Sequence, residues 1–274
     1  MHYLPVPDYH MHTPRCNHAK GSVRDYADAA IKLDLNEIGI SDHSPMPGGF
    51  DKDWRMHQSE MASYLSEIEQ TRDALAEQLV VRVGLEADFH PGTEDYVSNM
   101  IASYPWDYVI GSVHYIGDWG FDNPDCMDEW KDRDINKAYC AYFELVGQSA
   151  RSGLFDIIGH PDLIKKFGHR ADPDNALVKA AEEAMLQAVL QSGAALEISS
   201  AGLRKPVKEI YPHNRIVQRA AELHIPFSFG SDAHSPAEVG RDMDACLATL
   251  QSFGITEIAS FEQRSMTMRA LSHA

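Results

Sequence analysis

Six short apolar runs in this chain end in a histidine, an aspartate or a glutamate, and no other feature of the sequence constrains the fold as tightly. They belong to a set of seven runs rich in branched and aromatic side chains, at residues 8–12, 37–41, 80–86, 108–114, 155–160, 195–199 and 226–230. Segments with helical spacing lie between them, and such alternation predicts βα units around a parallel sheet. Val23, Tyr26, Ala27, Ala30 and Ile31 recur at three- and four-residue steps behind Ser22, a typical helix N-cap. Met61, Leu65, Ile68, Leu75 and Leu79 trace another apolar stripe, and residues 176–191 and 216–224 carry two more. Two stretches rich in Gly, Pro, Asp and Trp break the rhythm, 45–58 and 116–134. Long βα loops lie above the strand ends where barrels place their chemistry, so these two are expected to carry substrate contacts or lids. No linker or low-complexity tract interrupts the pattern, and the expectation is one α/β domain over residues 1–274.

The polar endings point to metal chemistry by their number. In Tyr9-His10-Met11-His12 a two-residue step puts both imidazoles on one face of a strand. Later runs end in Ser41-Asp42-His43, Gly84-Leu85-Glu86, Ser112-Val113-His114, Gly159-His160 and Gly230-Ser231-Asp232-Ala233-His234. Any one of these residues alone reads as a core histidine or a helix cap, and HxH by itself is a weak signal. In a barrel all six ends meet in one small space, where so many ionisable groups are costly unless cations neutralise them. With His18 from the first loop, the expected ligands are His10, His12, His18, His43, Glu86, His114, His160, Asp232 and His234. Nine groups exceed the four that one zinc takes, so two or three divalent ions are expected, with Glu86 as the bridge. Imidazole-rich ligation favours Zn, Mn or Fe over Mg or Ca.

Charge narrows the partners. The chain holds 24 Lys and Arg against 41 Asp and Glu, a formal net charge of −17, which disfavours extended nucleic acid and anionic membranes. No apolar run reaches the ~18 residues of a membrane span, and residues 1–10 lack the basic and apolar regions of a secretion signal, so a cytoplasmic protein is expected. Cys16, Cys126, Cys140 and Cys246 form no CxxC pair and are read as free thiols, with Cys16 a bystander to the ligands.

Asp8-Tyr9-His10-Met11-His12-Thr13-Pro14, His18 and the five later endings together resemble the polymerase and histidinol phosphatase (PHP) family over essentially the whole chain. Within it, Ala201-Gly202-Leu203-Arg204-Lys205-Pro206 followed by Tyr211-Pro212 resembles the histidinol-phosphate phosphatase branch. The resemblance implies a distorted seven-stranded β/α barrel, TIM-barrel-like, with a trinuclear centre. Carried over by position, His10, His12, Glu86 and Asp232 would hold one ion, Glu86, His114 and His160 a second, and His18, His43 and His234 the third. Two positions depart from the branch: Asp42 stands where glutamate is common, and Lys165-Lys166 where an arginine is common.

The implied activity is hydrolysis of a small phosphate monoester, L-histidinol phosphate, by a metal-bridging hydroxide. Asp232 is the expected proton-handling catalytic residue, Arg204 the phosphate fork, and Lys166 a second phosphate contact. Tyr115, Trp119, Asp122 and Asp125 are available to the rest of the substrate. Competing readings are a family phosphoesterase acting on nucleotides or short oligonucleotides, and a non-catalytic metal-binding protein. Of the other histidines, His57, His169, His213 and His224 are expected at the surface and His90 behind the ligands.

Overall fold

The structure, a computed structural model, describes residues 6–271. The reading of residues 1–10 as leaderless and the outer limits of the 1–274 domain fall partly outside the described residues.

Local chemistry sets the βα units. Ser22 and Asp25 form a reciprocal capping box that starts α1 (Val23–Lys32), whose buried face leads into β1 (Glu37–Ile40). The stripe from Met61 becomes α2 (Met61–Leu75), and β2 (Val80–Asp88), α3 (Glu94–Ala102) and β3 (Tyr108–Ser112) follow. The Asp134 side chain caps α4 (Ile135–Arg151), which precedes the two-residue strand β4 (Ile157–Ile158). Asn175 caps α5 (Ala176–Ser192), and Gly193, in the left-handed region at φ 74, ends it. Then come β5 (Ala195–Ser199), α6 (Asn214–Glu222), β6 (Phe227–Gly230) and α7 (Met243–Ser252). A hairpin of β7 (Glu257–Glu262) and β8 (Ser265–Ala270) closes the described chain.

The sheet is parallel throughout, in the order β1-β2-β3-β4-β5-β6, and curls into a half-barrel. Six strands, not the expected seven, form this ladder. Residues 8–12 do lie between β1 and β6: Gly39 N–H donates to Asp8 O and Ser41 N–H to Met11 O, while Tyr9 and His12 N–H donate to Phe229 O and Ala233 O. Asp8 to Met11 advances three residues while Gly39 to Ser41 advances two, however. That mismatch acts as a bulge does, and only isolated bridges remain, Asp8 to Ile38 and Met11 to Ala233.

Two apolar cores result. One lies between sheet and helices; the other, Tyr9, Tyr108, Ile110, Ile157, Ala195, Ala259 and Phe261, fills the barrel interior. The hairpin plugs the end opposite the strand C-termini, with Phe261 N–H donating to the Tyr9 hydroxyl and Arg264 N–H to Asp107 O. The interior space for Tyr108 comes from glycine: a Cβ on Gly39 or Gly84 would lie 2.1 or 2.2 Å from its side chain. The Tyr108 hydroxyl is anchored 2.6 Å from Tyr9 O, so the ring has nowhere to go. Gly84→Ala is therefore expected to destabilise by about 1–3 kcal/mol or more, read as a lower urea midpoint. A midpoint equal to that of the parent would contradict this packing.

Candidate metal centre

Because the strands are parallel, their C-terminal ends share one mouth. Glu86 and Asp88 project from the end of β2, His43 follows β1, His114 follows β3, His160 follows β4, and Asp232 and His234 follow β6. His10 and His12 enter from residues 8–12, and His18 from the loop beyond the short turn Pro14–Cys16. All nine expected ligands come together here. Asp232 holds a left-handed backbone (φ 50), a conformation that non-glycine residues adopt at a cost and that functional sites tolerate.

Glu86 is the hub. Its carboxylate lies 3.3 Å from His10 Nε2, 3.6 Å from His12 Nε2, 2.7 Å from His43 Nδ1, 3.6 Å from His114 Nε2 and 3.0 Å from His160 Nε2. Asp232 Oδ1 is 3.1 Å from His12 Nε2. His160 Nε2 hydrogen-bonds Glu86 Oε1, but despite the other approaches His10 Nε2, His12 Nε2, His43 Nδ1 and Glu86 Oε2 are buried without a hydrogen-bond partner. Close polar atoms at angles wrong for hydrogen bonds are what ligands converging on a common cation present.

His18 and His234 make the same point. His18 Nδ1 donates to Cys16 O at 2.7 Å and His234 Nδ1 to Asp232 O at 3.1 Å, which leaves a lone pair on each Nε2. Those two acceptors face each other at 2.9 Å. Two lone pairs repel at that distance unless a cation lies between them, so the donor set fits bound metal. Ligand atoms group as His10 with His12 and Glu86, as His43 with Glu86 and His114, and as His12 with His43 and His234.

Without cations the site redistributes protons. Burial opposes charge on His10, but Glu197 and Glu86 outweigh it and lift its pKa well above the ordinary range. Burial likewise opposes charge on His12, yet Asp232 and Asp42 push it up to about 9. Burial, and then the neighbouring His12 charge, lowers His18 to about 4. Glu86 resists burial because His43 and His10 hold its pKa well below the carboxylate range, and His12 and His234 do the same for Asp232.

Several residues support the ligands in ways the sequence reading did not assign. Glu197 receives His10 Nδ1–H and His160 N–H, both at 2.6 Å, and Gly230 leaves it room, since a Cβ there would lie 2.1 Å from its oxygen. Asp88 receives His114 Nδ1–H at 2.5 Å and forms an ion pair with Arg55, Oδ2 to Nε 2.8 Å. Asp42 receives the Thr13 hydroxyl and the His43 N–H, and its Oδ1 is 3.5 Å from His12 Nδ1. Such contacts fix the ring that each ligand presents. A lone glutamate inside the apolar strand 195–199 was the available signal for Glu197, and the two-residue step from Glu86 was the signal for Asp88. Nothing local marks Arg55.

A cavity of about 330 Å³ opens above the cluster, lined by both irregular loops through Asp51, Trp54, Tyr115 and Asp122 and by Lys166 and Lys205. A more open groove of about 490 Å³ near α3 shares only Arg55 with it and gathers no comparable set of ligands. Lys166 donates to Asp122 O and Oδ2. Arg204 is not among the lining residues: Nη2 donates to Ser231 O at 2.5 Å, Nε is 3.3 Å from Glu238, and Nη1 is buried without a partner.

Other expected contacts lie elsewhere. Trp119 is buried against Trp130 and under the Arg133 guanidinium, because the 116–134 loop needs a core of its own. Asp125 is exposed in a turn. His90 bonds Gly117 O and packs on Phe50, away from the ligands it was expected to support. His57, His213 and His224 are exposed, and His57 and His213 cap helical turns, while His169 stacks on Trp130. The Cys16 thiol lies near His18 and His234 but donates to Thr13 O, and burial pushes its pKa far up.

Residues 8–201 match the family described as PHP domain, and residues 211–243 that described as PHP-associated. A Deinococcus radiodurans protein named "Probable histidinol-phosphatase" is 48% identical over 263 residues, 96% of each chain. The histidinol-phosphatase of Bacillus subtilis is 30% identical over 88% of this chain and 97% of its own. The crystal structure of histidinol phosphate phosphatase from Lactococcus lactis, complexed with Zn, L-histidinol and phosphate, superposes with a TM-score of 0.80 at 21% identity, covering 96% of this chain and 99% of that one.

Proposed function

The chain belongs to the PHP family, and from that premise we propose that it is a divalent-metal-dependent phosphomonoesterase that hydrolyses L-histidinol phosphate to L-histidinol and phosphate. The observation that carries the reading is the ring of five imidazoles around Glu86 at the mouth of a cavity with lysines on its wall. His10, His12, Glu86 and Asp232 would hold one ion, Glu86, His114 and His160 a second, and His18, His43 and His234 a third; Zn, Mn and Fe suit the donors. Bound cations would neutralise the phosphate oxygens and lower the pKa of water toward neutrality.

The protein's own groups do the rest. Asp232, on the cavity wall beside the ligand cluster, is the carboxylate placed to take the proton of the attacking water. Lys166 and Lys205 draw the phosphate dianion into an otherwise acidic protein; Arg204, the expected fork, keeps an unpartnered Nη1 but lies off the cavity wall, so it would have to turn from Ser231 O to reach a phosphate oxygen. Residues 8–12, hydrogen-bonded on both sides, act in this reading as the seventh stave of the distorted barrel. The sheet continues from β5 into β6 across the two matched regions, which supports a single domain. The four unpaired cysteines suit a reducing compartment, the cytoplasm, and among the described residues no helix is long and apolar enough to cross a membrane.

The test is phosphate release from L-histidinol phosphate, nucleoside monophosphates and oligonucleotides, with kcat/KM expected highest for the first. Faster turnover of nucleotides or oligonucleotides would overturn the substrate, and bound metal without any phosphate release would overturn the enzyme.

A further inference from the structure

The substrate proposed above presents more than phosphate. Its ester and its ammonium are on neighbouring carbons, so a dianion and a cation arrive side by side. The cavity wall holds a matching pair of opposite sign. Lys166 follows the turn Leu163–Lys165, Asp122 comes from the 116–134 loop, and the Lys166 ammonium is 2.9 Å from Asp122 Oδ2 and 2.7 Å from Asp122 O. Both side chains are largely buried, at 18% and 16% exposure, yet both line the cavity. Burial opposes charge on Asp122, but Lys166 and His114 hold its carboxyl below the ordinary range, so it is a carboxylate. Among the described residues no donor reaches its second oxygen, Oδ1.

The cavity has one other carboxylate outside the ligand set, Asp51, and that group is committed. Its Oδ2 lies 3.3 Å from Arg55 Nη2, and Arg55 in turn holds Asp88 behind His114, so Asp51 belongs to a chain of charges that supports a ligand. Asp122, by contrast, pairs with Lys166 and lies outside that supporting chain, with Oδ1 open. We propose that Asp122 is the specificity-determining residue, accepting the substrate ammonium on Oδ1 while its partner Lys166 faces the phosphate. An inorganic or amine-free phosphate meets only half of this pair, which separates the vicinal amino ester from other small monoesters. The inference rests on the proposed function and narrows it.

Two measurements test it on the metal-loaded protein. The first is the ratio of kcat/KM for L-histidinol phosphate to that for the same ester lacking the amine, in the parent, Asp122→Asn, Asp122→Glu and Asp51→Asn proteins. Asn keeps the shape and removes the charge, so the ratio is expected to fall about 10- to 100-fold, whatever loss both substrates share, and Glu is expected to restore part of it. An unchanged ratio in Asp122→Asn, or a ratio erased by Asp51→Asn instead, would overturn the assignment. The second needs no variant: L-histidinol is expected to inhibit the parent at least about tenfold more tightly than its deamino analogue, and equal inhibition would overturn the proposal. A parent that cleaves both esters equally well defeats this inference and leaves the phosphatase reading standing; one that cleaves neither defeats the reading itself.

Discussion

Glu86→Gln is expected to lose turnover of L-histidinol phosphate by more than about 100-fold and to lower the amount of bound metal. Changes to residues behind a ligand already cost roughly 10–100-fold in metal affinity or activity, and Glu86 is in front. It is fully buried and has five imidazole nitrogens within 3.6 Å. Glutamine fills the same volume, so packing survives, but the charge that links the expected first and second ions disappears. In the metal-free protein the same change strips His10 and His12 of a counterion, and both would give up protons more readily. Turnover within tenfold of the parent, with metal content unchanged, would remove Glu86 from the centre of the account.

Stripping the metals is expected to abolish turnover and to lower Tm by on the order of 10 °C, as tight binding to the folded state alone implies. The loss should depend on pH in a definite direction. In the stripped protein the folded pKa of His12 is about 9 against an ordinary 6.5, so its protonated form stabilises the fold. That contribution is complete below pH 6.5 and is lost as pH rises through 9. Metal needs the same ring unprotonated, so loading becomes easier over the same interval. The Tm gap between loaded and stripped protein is therefore expected to widen from about pH 6.5 to 9, measured by scanning calorimetry in matched buffers. A gap that narrows over that interval would contradict the placement of His12 between Asp232 and Asp42.

Much of this site is legible in one sequence because strand periodicity is rigid. His10 and His12 must share a face, and a polar residue that ends an apolar strand must emerge at the mouth of a parallel sheet. What the pattern could not carry is long-range. Glu197 acts through His10, 187 residues away, and its single charge in an apolar strand gains meaning only once Gly230 is seen to leave it space. Arg55 sits in an irregular loop whose path follows from packing, not periodicity. Arg204 was placed over the mouth by its position after β5, yet most of its guanidinium turns to Ser231 O and Glu238. The seventh run is missing from the ladder for a related reason: residues 8–12 have strand composition, but a one-residue mismatch against β1 is invisible without the partner.

The most direct test is the metal content of protein purified without chelator, by elemental analysis against protein concentration. Two or three transition-metal ions per chain, held at the Glu86 cluster and lost on acid treatment, is the predicted result. Active protein that carries none would contradict the account at its root.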